Sequence, residues 1–285
     1  MSDDEVLDLY SDYLLSAFGQ TTATGLSALL GGQVSHDRVQ RFLASRQRTS
    51  GDLWRIAKPH VRKIEQKSAV MIVDDSIAEK PYTDENEIIC WHYDHAKDRM
   101  VKGINFMSVL YHSIGVSLPV GFDLIAKTEH YLDPKDGKEK RRSPISKNDL
   151  YQKLLKQVLR NQILFKYVLN DVWFASADNM MFVKHALKKD FVMPLKSNRK
   201  VALSLADKRQ GRFVPVDTLE LKEKAILKIY LEGVNFPLLL IQPVFENEDG
   251  RTGFQYLVTS DTTSLTTRSL QSIANDGISS LITNP

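Results

Sequence analysis

The stretch VMIVDDS, Val70 to Ser76, sets four apolar residues directly against two carboxylates, Asp74 and Asp75. Such a run reads as a buried strand, and a buried strand has no structural need of paired acids at its end. A second run, DVWFASAD, reads the same way and finishes on Asp178. Catalytic groups collect at strand ends, where a rigid sheet meets solvent. If the two strands are neighbours, Asp75 and Asp178 fall within reach of one cation. Carboxylates that close repel, and a divalent ion resolves the repulsion while acting as a Lewis acid for phosphoryl transfer. An Asp in this position also caps helices, and Asp178 stands where the N-cap of NMMFVKHALKK belongs, so spacing alone leaves both readings open.

Other candidate groups carry less. In CWHYDH, the residues Cys90, His92, Asp94 and His95 have metal-ligand types, but alternate strand residues face opposite sides and the spacing matches no common zinc pattern, so a mixed-face strand is expected. The glycines at 31, 32 and 103 form no phosphate loop, and no serine or cysteine sits in a nucleophile elbow. Trp54, Trp91 and Trp173 are assigned to packing, with base stacking an alternative for Trp91.

The elements that must position these residues differ in texture along the chain. Residues 1–66 read as helices: EVLDLYSDYLLSAFG is amphipathic with Gly19 as a stop, and a pair turning at Gly31 and Gly32 follows. Ser35 caps the second helix of the pair, whose apolar face is Val39, Phe42 and Leu43. Arg38 and Arg41 then face outward near its start, as in a recognition helix. From Ser68 the chain turns β-rich, with three runs forming an antiparallel meander that turns near Gly115. A basic loop spans Tyr131 to Asn148. A long helix, DLYQKLLKQVLRNQILFKYVLN, follows with a stripe at Leu150, Leu154, Leu155 and Val158. DVWFASAD, NMMFVKHALKK and DFVMPLKSN then make a βαβ unit, and residues 201 to about 260 are strand-like, with a turn at Glu248-Asp249-Gly250.

Composition bounds the setting. In 285 residues, 42% hydrophobic, there is a single cysteine and neither a long apolar run nor a basic-then-apolar leader, which gives a cytoplasmic, nucleoid-associated protein with no membrane partner as the expectation. The net charge of +3 hides three basic runs. His36 to Lys67 and Lys135 to Arg160 each hold nine Lys or Arg against three acids, and Lys196 to Arg212 holds six against one. Runs of this kind create a phosphate-attracting field, with Arg141 and Arg142 in the second of them.

On these residues, DDSIAEKPYTDENEIICWHYDHAKDRMVKGINFMSVLYHS followed by FASADNMMFVKHALKKDFVMPLKSNR resembles the insertion-sequence transposases of the DDE type, from the N-terminal helices to about Thr263. The resemblance implies an α/β fold, a ribonuclease H-like mixed sheet. Its parts would be an N-terminal helical DNA-binding domain (1–66), a first part of the catalytic domain (67–200) and a β-rich insertion (201–262). It implies an Asp ending the first strand, an Asp ending the fourth and a Glu on a late helix, jointly holding two Mg²⁺ or Mn²⁺ ions. The first maps onto Asp75 and the second onto Asp178, with Lys80 a nearby DNA contact. The implied partners are the element's terminal repeats and a target duplex, with a homodimer holding two ends. A DNA-binding protein without catalysis and a ribonuclease H-like nuclease are the competing readings.

The family's third acid belongs to a helix patterned Tyr-x2-Arg-x3-Glu-x6-Lys after a strand like FQYLVTSD. Residues 263–285 carry no such pattern and no acid but Asp276. Back-translation from Arg268 with chosen synonymous codons, read from the third nucleotide, permits Tyr, Arg and Glu at that spacing. The expectation is a frame lost near Thr267 or Arg268, an out-of-frame tail over 263–285, and a chain lacking the catalytic Glu.

Overall fold

The computed structural model describes residues 1–263 except 20, 46, 96, 222–224 and 247–251. Two units emerge, Met1–Thr49 and Ser50–Pro285. The first holds α1 (Asp3–Ser16), α2 (Ala23–Leu29) and α3 (His36–Ala44). Ser2 closes a capping box with Glu5, and Ser35 caps α3 by accepting from the Arg38 N–H. Leu26, Val34 and Val39 form the small core, while Leu43 of the expected apolar face is exposed. Gly31 and Gly32 both take positive φ, the left-handed turn between α2 and α3 that a side chain would strain.

The second unit opens with α4 (Ser50–Ile64), which the helical texture of residues 1–66 assigns to the N-terminal domain. It belongs instead to the sheet. Ala57 and Val61 are buried, the Ser50 hydroxyl accepts from Phe122 N–H, and just past the helix Gln66 N–H donates to the Tyr111 hydroxyl. The strands β1 (Val70–Glu79), β2 (Ile89–Asp94), β3 (Arg99–Ser113) and β4 (Val116–Leu124) follow. Both β1 and β4 are antiparallel to β3, as the meander requires, and β2 extends the same edge of β3 that β4 uses. The expected basic loop holds a hairpin of β5 (Glu129–Leu132) and β6 (Glu139–Arg142).

Next comes α5 (Lys147–Arg160), whose predicted stripe of Leu150, Leu154, Leu155 and Val158 is buried. Burying each such side chain contributes ~1.5–3 kcal/mol, which fixes the helix on the sheet. The helix is shorter than its apolar periodicity suggested. It stops at Arg160, Gln162 turns back at φ 55°, and YVLN becomes β7 (Tyr167–Asn170). DVWFASAD is correspondingly not a strand but a turn leading into α6 (Ala177–Met181), which continues as one π turn at Phe182–Ala186. β8 (Asp190–Leu195) lies parallel to β7, and β7 parallel to β1. The order β4-β3-β1-β7-β8, with its two parallel pairs, is the ribonuclease H-like mixed sheet.

The remaining elements are β9 (Lys200–Ala202), α7 (Leu205–Arg209), β10 (Val214–Pro215), β11 (Leu227–Leu231), β12 (Leu238–Ile241), β13 (Val244–Glu246), β14 (Thr252–Phe254) and β15 (Tyr256–Thr259). Most of these strands continue the sheet beyond β8 as β15-β12-β11-β9-β10, so the β-rich segment adds to the edge of the same sheet. The expected turn at Glu248-Asp249-Gly250 and the tail from 264 on lie outside the described residues. Among the described residues no helix is long and apolar enough to cross a membrane.

Candidate active site

From Val70 to Val73 both faces of β1 are buried. Met71 and Val73 join the core under α5, whereas Val70 and Ile72 pack with Tyr167, Leu169 and Ile241 on the other side. By alternation Asp75 continues the α5 face and Asp74 the opposite one. Opposite them on β3 stand Met107 and Ser108. The first residue of α5, Lys147, reaches Asp75 at 2.5 Å.

β7 is buried throughout and ends where β1 turns acidic, with Val73 level with Asn170. The next residue on each strand is therefore an aspartate, Asp74 beside Asp171. The loop holds Asp171 firmly. Its Oδ1 accepts from the N–H groups of Trp173 (3.0 Å) and Phe174 (3.3 Å), an Asx turn. Asn170 donates to the Asp171 carbonyl at 2.7 Å and accepts from the buried Tyr151 hydroxyl of α5 at 2.9 Å.

Burial, then the charges of Asp171 and Asp75, push the Asp74 carboxyl up to about 7. Burial, then the charge of Asp75, raises Asp171 to about 6 against the pull of its two backbone N–H donors. Three carboxyls thus share one field at the exits of β1 and β7, with Lys147 as the cation among them. His92 is pushed down to about 4 by burial and by Lys127 and Lys147, so it is neutral at pH 7 and adds no charge to that field.

Asp178 does not end a strand beside Asp75. It is exposed, in the first turn of α6, and Ser176 is the N-cap. Its neighbour Asn179 is the structural residue, donating to Asn148 (2.9 Å) and to the Phe174 carbonyl (3.0 Å) and so tying α6 to α5. Asp178 is not among the main charges acting on Asp74 or Asp171. Asp171 is the residue that sequence reasoning missed, and the available signal was YVLND, an apolar run ending on Asp.

The expected DNA contacts are dispersed. Arg38 is held by Asp3 (2.6 Å), and Arg41 donates to the Asp37 carbonyl (3.3 Å) within α3. Lys80 is exposed just past β1. Arg142 bonds Glu129 on the hairpin (2.9 Å), and Arg141 lines a cavity of about 630 Å³ with Trp91 and Lys127. β2 is the expected mixed-face strand, with Cys90 and His92 inward (Sγ to Nε2 3.4 Å) and Trp91 and Tyr93 outward. Trp173, half exposed, stacks on His95 and carries Lys196 over its face at 4.2 Å.

Among the described residues no group of three or more His, Cys, Asp or Glu stands close enough to hold one ion. The donor set at the strand exits nevertheless suits a hard divalent cation. Its groups are carboxylates, and burial makes two of the three resist ionisation, a cost that a divalent cation would offset.

A family model described as DDE superfamily endonuclease matches residues 2–213. No curated protein matches the chain. Among solved structures, an Endonuclease V from Bacillus subtilis superposes with a TM-score of 0.31 at 10% identity, over 81% of this chain and 83% of that one. The mariner Mos1 paired end complex with Mg gives 0.16 at 12% identity, over 66% and 55% respectively. These scores are too low to transfer any residue.

Proposed function

Since the chain belongs to the DDE superfamily endonucleases, we propose that it is a transposase acting on the ends of a mobile DNA element. The observation that carries the reading is the set of three carboxyls, Asp74 and Asp75 on one strand and Asp171 level with Asp74 on its parallel neighbour, at the exits of β1 and β7, where the charge of Asp75 acts on Asp171. Asp75 and Asp171 would hold the divalent metal, Mg²⁺ or Mn²⁺, in place of the pair Asp75 and Asp178. When bound, the metal supplies Lewis-acid activation of the scissile phosphate and of the attacking oxygen. The residues of the chain do the rest. The Asx turn fixes the Asp171 carboxylate, Tyr151 and Asn170 hold that turn on α5, and Lys147 places a positive charge where a phosphate oxygen would approach. Asp74 raises the local negative charge and so favours cation uptake.

Strand cleavage by water and attack by the freed 3′-hydroxyl are both in-line displacements, so one site serves both. Lys80, Arg38, Arg41, Arg141 and Arg142 are assigned to DNA, and two chains to the pairing of two ends. The reading includes a frame change near Arg268, which would account for the absence of the Tyr-Arg-Glu pattern from residues 263–285.

The test compares this chain with a frame-restored version on duplexes bearing element ends, with Mg²⁺. The restored chain should cleave and join strands, the present chain should do so barely, and Asp75→Asn in the restored chain should abolish both. Robust strand transfer by the present chain would overturn the incomplete site. No cleavage by either chain would overturn the transposase reading.

A further inference from the structure

Because β1, β7 and β8 run parallel, their entries share one end of the sheet and the Asp74, Asp75 and Asp171 exits lie at the other. Lysines precede all three entries. Lys67 lies shortly before β1, Lys166 immediately before β7, and Lys188 with Lys189 immediately before β8. These four line one cavity of about 320 Å³, together with Phe165 and Asp190.

The acids at this end are already engaged. Asp190 is bonded to Lys184 (2.6 Å) and to the Ser260 hydroxyl (2.7 Å). Asp261 holds Lys166 (2.7 Å) and accepts from the Tyr167 hydroxyl (2.8 Å). Glu65 pairs with Arg62 at 2.5 Å and accepts from Leu164 N–H at 2.7 Å. Lys67 and Lys188 are exposed with no carboxylate partner among the described residues. Among the described residues Lys189 has only the Phe165 carbonyl (2.7 Å) and the Phe165 ring beneath it, and burial lowers its pKa. These three ammonium groups line one cavity whose carboxylate, Asp190, is already paired, so the cavity presents its cations to an incoming anion. Lys188 also takes φ 55° just past the helical turn, a backbone position that favours glycine. The chain keeps a lysine there.

We propose that this lysine-lined end binds the phosphates of a nucleic-acid duplex, holding a stretch of DNA apart from the one presented to Asp75 and Asp171. The inference rests on the reading of the chain as a DNA enzyme. From Val70 to Asp75 the strand rises about 17 Å at ~3.3 Å per residue, so phosphates held here are not those at the carboxylates. A duplex suits the cluster better than an acidic peptide, because it presents a charge every ~1.7 Å of its axis and can meet all three ammonium groups at once.

The test uses the full chain and the exposed pair Lys67→Gln/Lys188→Gln, with binding of a labelled random-sequence duplex followed across a salt series. The slope of log affinity against log salt should become shallower by about 1.8, at ~0.9 for each phosphate no longer neutralised, and affinity at ~0.1 M salt should fall roughly sixtyfold. Lys67→Arg/Lys188→Arg should keep the wild-type slope. An unchanged slope and affinity in the Gln pair would overturn the site, as would weakened binding of polyglutamate but not of duplex. Failure here is separable from failure of the transposase reading. A shallower slope without strand cleavage defeats only the latter, and cleavage with an unchanged slope defeats only the former.

Discussion

Replacing Asp74 by Asn should stabilise the protein, and by an amount that depends on pH. The Asp74 carboxyl rises from its ordinary 3.8 to about 7 in the folded chain, because it is largely buried and faces Asp171 and Asp75. A folded value above the unfolded one means that the native state holds the proton more tightly. The cost is absent below about pH 4, grows as pH rises toward 7, and is constant above that. At ~1.4 kcal/mol per pH unit the full penalty is at most ~4 kcal/mol, and water reaching this half-buried site reduces it to about 2 kcal/mol. Urea unfolding in EDTA should therefore show the Asn variant more stable than wild type by about 2 kcal/mol at pH 8 and nearly equal to it at pH 4. Added Mg²⁺ should shrink the gap at pH 8 by stabilising the wild-type carboxylate. A difference independent of pH, or a less stable variant at pH 8, would refute the crowded-carboxylate account.

The other outcomes follow from single interactions. A Cβ on Gly103 would run into the Ala78 carbonyl across the β1–β3 ladder, so Gly103→Ala should cost ~1–3 kcal/mol in urea unfolding, and an unchanged midpoint would contradict that close approach. Asp3→Asn removes the exposed partner of Arg38, which should change stability by less than ~1 kcal/mol while tightening duplex binding a few-fold. If affinity does not rise, Arg38 does not touch DNA. Lys147→Gln removes the cation that competes for Asp75, so calorimetry should show tighter Mn²⁺ binding, and weaker binding would make Lys147 a support for the metal rather than a rival.

The sequence made Asp75 legible because VMIV, just before it, is a run buried on both faces, and only a strand satisfies that in so few residues. The caps at Ser35 and the stripe of α5 were equally plain, since each is a local pattern with a local cause. Asp171, the second acid of the proposed pair, was hidden by the join between α5 and β7. LLKQVLRNQILFKYVLN keeps helical spacing past Arg160, and the left-handed turn at Gln162 that ends the helix has no glycine to announce it. With YVLN assigned to the helix, the next apolar run, VWFA, took the strand's place and carried the assignment from Asp171 to Asp178. The placement of α4 was hidden for a different reason. Its apolar face fits a small helical core as well as a sheet, and only its tertiary partners, Phe122 through Ser50 and Tyr111 near its end, decide between them.

The central claim is that Asp75 and Asp171, not Asp75 and Asp178, form the metal-holding pair. Mn²⁺ binding followed by electron paramagnetic resonance tests it without requiring turnover. Wild type and Asp178→Asn should bind Mn²⁺ alike, while Asp75→Asn and Asp171→Asn should each weaken binding by about tenfold or more, as removal of one carboxylate ligand does. Binding that survives Asp171→Asn and disappears in Asp178→Asn would contradict the account.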